Sequence, residues 1–215
     1  MKQLNWATLG CGVIANELAH ALSKEGRTLY SVANRTHEKA VAFAQKYGIS
    51  KVYDNIDDVF YDPDVDIIYI STPHNTHINY LRKALSNGKH VLCEKSITLN
   101  IAELDEAVSL AKENNVILAE AMTIYHMPVY KKLNEIIASG QLGRLNLIQV
   151  NFGSYKDYNM TNRFFSRKLA GGALLDIGFT HFLLSAGSSR KHQHKYRHRL
   201  NMHQPVLMNR QVFCL

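Results

Sequence analysis

Short apolar runs alternate, over the first 121 residues, with segments whose apolar positions recur every three to four residues. The runs at 4–9, 29–34, 51–53, 65–70, 90–93 and 116–121 predict strands, and 65–70 is rich in β-branched and aromatic side chains. Residues 14–22, 37–47, 77–85 and 101–113 carry helical spacing, and a shorter helix is expected through Val59 and Phe60. Asn55, Thr76 and Asn100 are the expected caps, and Gly48 is a stop signal. Such alternation of strand and helix predicts an α/β fold built on a parallel, doubly wound sheet. The pattern changes after residue 121. A helix over 128–139, closed by Gly140, precedes a strictly alternating stretch at 145–152, which suits a sheet with one exposed face. A second domain is therefore expected to begin near Met122, and 171–178 reads as a loop-to-helix entry.

The first strand runs into Gly10-Cys11-Gly12-Val13-Ile14-Ala15, a strand, glycine turn and helix in the context a dinucleotide-binding crossover requires. Gly10 allows the tight turn, Gly12 lets backbone approach a pyrophosphate, and Ala15 is small enough for helix to pack on strand. The N–H groups at the start of that helix, with Val13 and Ile14, would face the phosphates. At the end of the second strand, Asn34 stands 22 positions after Gly12 where an acid would hold ribose hydroxyls, and Arg35 follows it. Loss of the acid and gain of a guanidinium favour NADP over NAD; the plainer reading makes Arg35 a solvated loop residue. The polar turn Ser71-Thr72-Pro73-His74-Asn75-Thr76-His77 ends the fourth strand, where open parallel sheets bind ligands, and Glu94-Lys95 ends the fifth.

Composition changes this picture only at the chain's end. The net charge is +7, yet six of the 25 basic residues follow Asp176, the last acid, and the body before them is close to neutral. Cys11, Cys93 and Cys214 show no metal-ligand spacing, no apolar run approaches a membrane span of about 20 residues, and Met1-Lys2-Gln3 leads straight into strand pattern. These features predict a cytoplasmic protein with no membrane partner. His192, His194, His198 and His203 lack companion acids or cysteines, so no metal is expected. The basic end has few interleaved aromatics and no recognisable module, so nucleic-acid binding through it is the lesser alternative and no nucleic-acid partner is expected.

Taken together, the glycine turn, residues 71–77, Glu94-Lys95, Glu120-Ala121-Met122 and the stretch 171–178 resemble the Gfo/Idh/MocA family of NAD(P)-dependent oxidoreductases, in particular its dihydrodiol dehydrogenase-like branch. The resemblance implies an N-terminal Rossmann domain over 1–121, then the start of an α+β substrate and dimerisation domain over 122–179. It implies hydride transfer at a hydroxyl or ketone carbon of a sugar, polyol or dihydrodiol as small-molecule substrate. Lys95 takes the place of the family's catalytic lysine, with Ser96 where the family has proline; its plainer reading is an ion pair with Glu94. Asp176 takes the place of the family's second catalytic residue, or else only charges a helix start. Around the cofactor the resemblance places Gly10, Gly12, Val13, Ile14, Asn34, Arg35, Ser71, Thr72, Pro73, His74, Asn75, His77, Glu94 and Lys95.

The resemblance stops at Thr180, which stands where His or Tyr is expected four residues after Asp176, and His181 comes one residue late. Residues 188–199 show neither helical nor strand periodicity. A frameshift or comparable disruption is the expectation for 180–215, leaving the α+β domain and the family's dimer sheet incomplete. Reduced or lost turnover and an exposed apolar face on 145–152 are then expected. The rival expectation is a nucleotide-binding protein without catalysis.

Overall fold

Parallel strands covered on both faces need apolar side chains in both directions, and the six strands of the first unit have them. They are β1 (Trp6–Leu9), β2 (Ser31–Ala33), β3 (Lys51–Val52), β4 (Ile67–Ile70), β5 (His90–Cys93) and β6 (Leu118–Glu120). All pair in parallel in the order β3-β2-β1-β4-β5-β6, with Leu9 opposite both Ala33 and Ile70. Between them run the helices α1 (Val13–Lys24), α2 (His37–Tyr47), α3 (Asp58–Tyr61), α4 (His77–Ser86) and α5 (Ile101–Glu113). This computed structural model describes residues 3–145, 150–152, 155, 157–162, 164–178, 197–199 and 211–214.

The α/β doubly wound sheet is thus present, with two cores. Ala15 and Ala19 of α1 and Ala40, Phe43 and Ala44 of α2 bury against Val32, Leu29 and Ile49 on one face. Leu81, Ala84 and Leu85 of α4 and Ala107 and Ala111 of α5 pack with Leu9, Ile68, Ile70 and Val91 on the other. The strand order reverses between β1 and β4. That switch point opens a crevice outside the carboxyl ends of the strands, where ligands of such sheets bind.

Caps follow the expectations in part. Asn100 accepts a hydrogen bond from the Glu103 N–H at 2.9 Å, and Glu103 accepts one from Leu99 N–H at 3.0 Å, a reciprocal closure of the α5 terminus. Thr76 does not cap α4. Its hydroxyl lies 2.7 Å from the Pro73 carbonyl oxygen and 2.8 Å from the Thr72 hydroxyl, because a 3₁₀ turn (His74–Thr76) precedes the helix and uses it locally. Asn55 likewise closes an Asx turn on Asp57 N–H at 3.0 Å instead of capping α3.

A polar cluster ties the amino end of this sheet. The carboxylate of the buried Asp62 accepts from the Tyr53 hydroxyl, from Lys51 Nζ at 2.6 Å and from Asp64 N–H at 2.9 Å. Burial pushes the Asp62 carboxyl up, but these three donors outweigh it and hold it below the ordinary value near 3.8. The folded state therefore gains stability from Asp62 above that value, and the gain is lost as pH falls through the lowered folded one. Asp62→Asn is expected to cost about 3 kcal/mol at neutral pH, since it removes a buried, charge-assisted acceptor from three donors. Urea midpoints of the two proteins at pH 7 and pH 3 check this; the gap should narrow at pH 3.

The contact pattern divides the chain into two compact units, Met1–Ala121 and Met122–Leu215. The second unit contains α6 (Pro128–Ala138), which begins on proline as helices tolerate, and Tyr130 is its buried residue. It also holds an antiparallel sheet of β7 (Val150–Phe152), β8 (Arg197–Arg199) and β9 (Gln211–Cys214) in the order β7-β9-β8. Only residues 150–152 of the expected strand 145–152 are strand here; 146–149 lie outside the described residues. β8 falls within 188–199, where the sequence shows no strand periodicity; backbone pairing of Arg197–Arg199 with β9 needs no apolar alternation. The loop-to-helix entry expected at 171–178 runs from Gly171 and Gly172 into a π-helical turn at Leu174–Gly178. Thr180, His181, His192, His194 and His203 lie outside the described residues.

Candidate active site

At the switch point the glycine turn and the loop after β4 meet. Gly10 has φ +107°, and a Cβ built there would lie 2.9 Å from Ser71 Oγ and 3.1 Å from the Ser71 carbonyl oxygen. Ser71 N–H donates to the Leu9 carbonyl at 3.0 Å, which fixes this approach. Glycine is therefore required at position 10 by the chain itself. Gly12 is different: its backbone is extended, φ −74° and ψ −173°, and an added Cβ meets nothing within 4 Å. The space above Gly12 is open, which suits a close-approaching group from outside the chain. α1 starts there without a side-chain cap and without an acid in its first turn. Its N-terminal N–H groups and positive end are left for an anion. A shallow cavity of about 590 Å³, lined by Cys11, Gly12, Val13, Asn16, Glu17, His20 and Lys46, runs from the same place along α1. Val13 and Ile14 are exposed beside it, and Ala15 is fully buried under α1. These features fit a dinucleotide.

Cys11, between the two glycines, is half-buried, and burial pushes its thiol up to about 11 against the opposing charge of Lys39. It is a packing thiol at neutral pH. Lys39, on the first turn of α2, is a further cation whose charge bears on Cys11, and the reading of the sequence passed over it. Arg35 is exposed at the end of β2. Asn34 turns its amide inward to donate to the Thr36 carbonyl at 2.9 Å. The side-chain donors of Asn34 thus serve the β2–α2 turn, and Arg35 and Lys39 carry the positive charge there.

The loop after β4 divides its residues between the surface and the interior. Ser71 and Thr72 are half-buried, Pro73 is exposed, and His74 is buried. The oxygen Asn75 Oδ1 is buried and has no hydrogen-bond partner among the described residues. His77 is fully buried, its Nε2 2.8 Å from the Thr72 carbonyl oxygen and its Nδ1 2.9 Å from that of Ser96. Burial pushes the imidazole below its ordinary value. A neutral ring has one N–H, so it donates to one of these carbonyls and lies against the other. His77 braces the loop after β4 against the loop after β5 and does not itself reach the surface.

Glu94 and Lys95 follow β5, and both are half-buried. Glu94 accepts a hydrogen bond from the Tyr69 hydroxyl of β4 at 2.6 Å. Burial pushes the Glu94 carboxyl up, while Tyr69, the Lys95 N–H and the Lys95 charge pull it back. Tyr69 is thus a hydrogen-bond partner of Glu94 that the sequence did not suggest. Glu120, at the end of β6, is also held above its ordinary value by burial. It accepts from Ile97 N–H at 2.8 Å. Asp176 lies in the second unit, half-buried in the π-helical turn, its N–H donating to the Gly172 carbonyl at 3.2 Å. Among the described residues no group of three or more His, Cys, Asp or Glu side chains could hold a metal ion, and no helix is long and apolar enough to cross a membrane.

Residues 4–122 match the sequence model of a family described as "oxidoreductase family, NAD-binding Rossmann fold", and residues 130–183 match that of the GFO/IDH/MocA C-terminal domain. The chain is 34% identical over 176 residues to trans-1,2-dihydrobenzene-1,2-diol dehydrogenase of Xenopus tropicalis, which covers 80% of this chain and 53% of that protein. A 3-ketoreductase from Actinomadura kijaniata, solved in complex with NADP and TDP-benzene, superposes with a TM-score of 0.78 at 25% identity, covering 86% of this chain and 57% of the other. A protein from gentamicin A biosynthesis, solved in complex with NAD, is 24% identical with a TM-score of 0.81 over 92% of this chain and 56% of its own. The second likeness speaks to the fold alone. The chain spans about half the length of the curated relatives it matches.

Proposed function

Because the chain belongs to the Gfo/Idh/MocA family of oxidoreductases, with the family's NAD-binding Rossmann fold over residues 4–122, we propose that it binds a nicotinamide dinucleotide at the β1–β4 switch point, NADPH in preference to NADH. The observation that carries this reading is the open space over Gly12 at an uncapped, acid-free start of α1. Gly10, Gly12, Val13 and Ile14 would receive the pyrophosphate, and Ser71, Thr72, Pro73, His74 and Asn75 would border the nicotinamide half, with His77 bracing them from beneath. Arg35, supported by Lys39, would hold a 2′-phosphate, which the missing acid at Asn34 leaves unopposed.

When bound, the nicotinamide supplies or accepts the hydride, and the chain supplies orientation and charge. Lys95 is the group we assign to the reacting oxygen, as proton donor or electrostatic stabiliser, and Glu94 with Tyr69 sets its surroundings. Asp176 is the proposed second polar participant. The substrate class is a small molecule oxidised or reduced at a hydroxyl or ketone carbon. The curated relative named for a dihydrodiol and the 3-ketoreductase structure support that class. A screen of sugars, polyols, dihydrodiols and ketones, followed by nicotinamide absorbance, tests the catalytic part. Slow turnover, abolished by Lys95→Met in a chain that still folds, is the expected result. Turnover that survives Lys95→Met would sink the assignment.

The cofactor preference has its own test. Arg35→Ala is expected to weaken NADPH binding about tenfold, the loss of charge-assisted hydrogen bonds worth about 1.4 kcal/mol, and to leave NADH affinity nearly unchanged. Equal losses for the two nucleotides would show that Arg35 does not read the 2′-phosphate.

A further inference from the structure

Lys95 sits in a loop whose backbone is held by three side chains, Glu94 of the loop itself and His77 and Glu120 of other elements. The Lys95 N–H donates to the Glu94 carboxylate, itself held by the Tyr69 hydroxyl of β4 at 2.6 Å. The Ser96 carbonyl oxygen lies 2.9 Å from Nδ1 of His77 on α4. The next residue, Ile97, donates its N–H at 2.8 Å to Oε1 of Glu120, the last residue of β6. Three successive residues are thus fixed, by Glu94 of the loop, by α4 and by β6, and Ser96 and Ile97 are buried.

From this arrangement we infer that Glu120 is a positioning residue for Lys95: its carboxylate anchors the loop to the end of β6 and so aims the lysine. The inference rests on the reading of Lys95 as the reacting group. Of the three anchors Glu120 is the one supplied by the edge strand of the sheet, 23 residues on from its partner. A buried N–H left without an acceptor costs enough to rearrange a short loop. The contact needs an acceptor at that distance and not a charge. Glutamine can therefore replace Glu120, whereas aspartate, one methylene shorter, cannot reach, and alanine offers nothing.

The test uses the full 215-residue chain and its Glu120→Gln, Glu120→Asp and Glu120→Ala variants. Trace acetylation, read by mass spectrometry, gives the reactivity of Lys95 relative to Lys112, an exposed lysine on α5. Amide hydrogen exchange over the loop reports the Ile97 N–H. In the absence of nucleotide, the aspartate and alanine variants should change the Lys95 to Lys112 ratio and speed loop exchange by at least about fivefold, the factor for one lost hydrogen bond, while Glu120→Gln stays near the parent. If alanine does not fold, the aspartate variant carries the comparison. An unchanged lysine ratio in the aspartate or alanine variant, or a glutamine variant that behaves like alanine, overturns the inference. Repeating the labelling with NADPH separates the two readings. Failure of NADPH to protect Lys95 in the parent chain counts against the proposed nucleotide site, and the nucleotide-free comparison still decides the role of Glu120.

Discussion

Gly12→Val is expected to weaken NADPH binding about 100-fold or more, roughly 2.7 kcal/mol, while the folding free energy moves by less than about 0.5 kcal/mol. The two halves of this expectation have separate causes. At φ −74° and ψ −173° valine is sterically at home, and nothing within 4 Å obstructs its Cβ, so the folded chain has no reason to object. The added isopropyl group occupies the space over the first turn of α1, and the N–H groups there lose access to the pyrophosphate. Fluorescence titration with NADPH and urea denaturation of the same samples check both halves. A valine variant that binds as tightly as the parent would place the nucleotide elsewhere.

Gly10→Ala should do the reverse and act first on the fold, with a loss of about 3 kcal/mol in the first unit. At φ +107° an L-residue is strained whatever the space, and here the space is also missing, because the new Cβ would press on both Ser71 Oγ and the Ser71 backbone. The Ser71 hydroxyl can turn away by giving up its bond to the Leu9 carbonyl at 3.2 Å, but the Ser71 backbone, whose N–H also donates to Leu9, cannot move aside as readily. Adding Ser71→Ala to the alanine variant should accordingly restore only a minor part of the loss. Nucleotide affinity should fall as well, since the glycine turn and the loop after β4 would be forced apart. A urea midpoint equal to that of the parent would contradict the contact between these two loops.

The contrast between the two glycines shows what was legible in the sequence. The spacing of Gly10, Gly12 and Ala15 after an apolar run announced the turn, and the burial of Ala15 agrees with its role in packing. The cap at Asn100 was legible because its partner, Glu103, is three residues away. What could not be read were contacts made by the topology. Tyr69 reaches Glu94 across neighbouring strands, and Glu120 reaches Ile97 from the sheet edge. The cluster around Asp62 exists because Ser31 pairs with Lys51 in register, bringing Tyr53 and Lys51 over a carboxylate several residues on. Local signals also misled where a competing local bond won, as at Thr76, whose hydroxyl serves the 3₁₀ turn in preference to the helix it precedes.

The site separates by unit in the same way. Gly10, Arg35, Ser71, Glu94, Lys95 and Glu120 belong to Met1–Ala121, and Asp176 belongs to Met122–Leu215. The proposed nucleotide site thus draws on residues of the first unit, and the chain is expected to bind nucleotide through them.

Calorimetric titration of the 215-residue chain with NADPH and with NADH tests that account most directly. One saturable site per chain, with NADPH tighter than NADH by about tenfold or 1.4 kcal/mol, is the expected result. Absence of binding by either nucleotide, or a tighter complex with NADH, would contradict it.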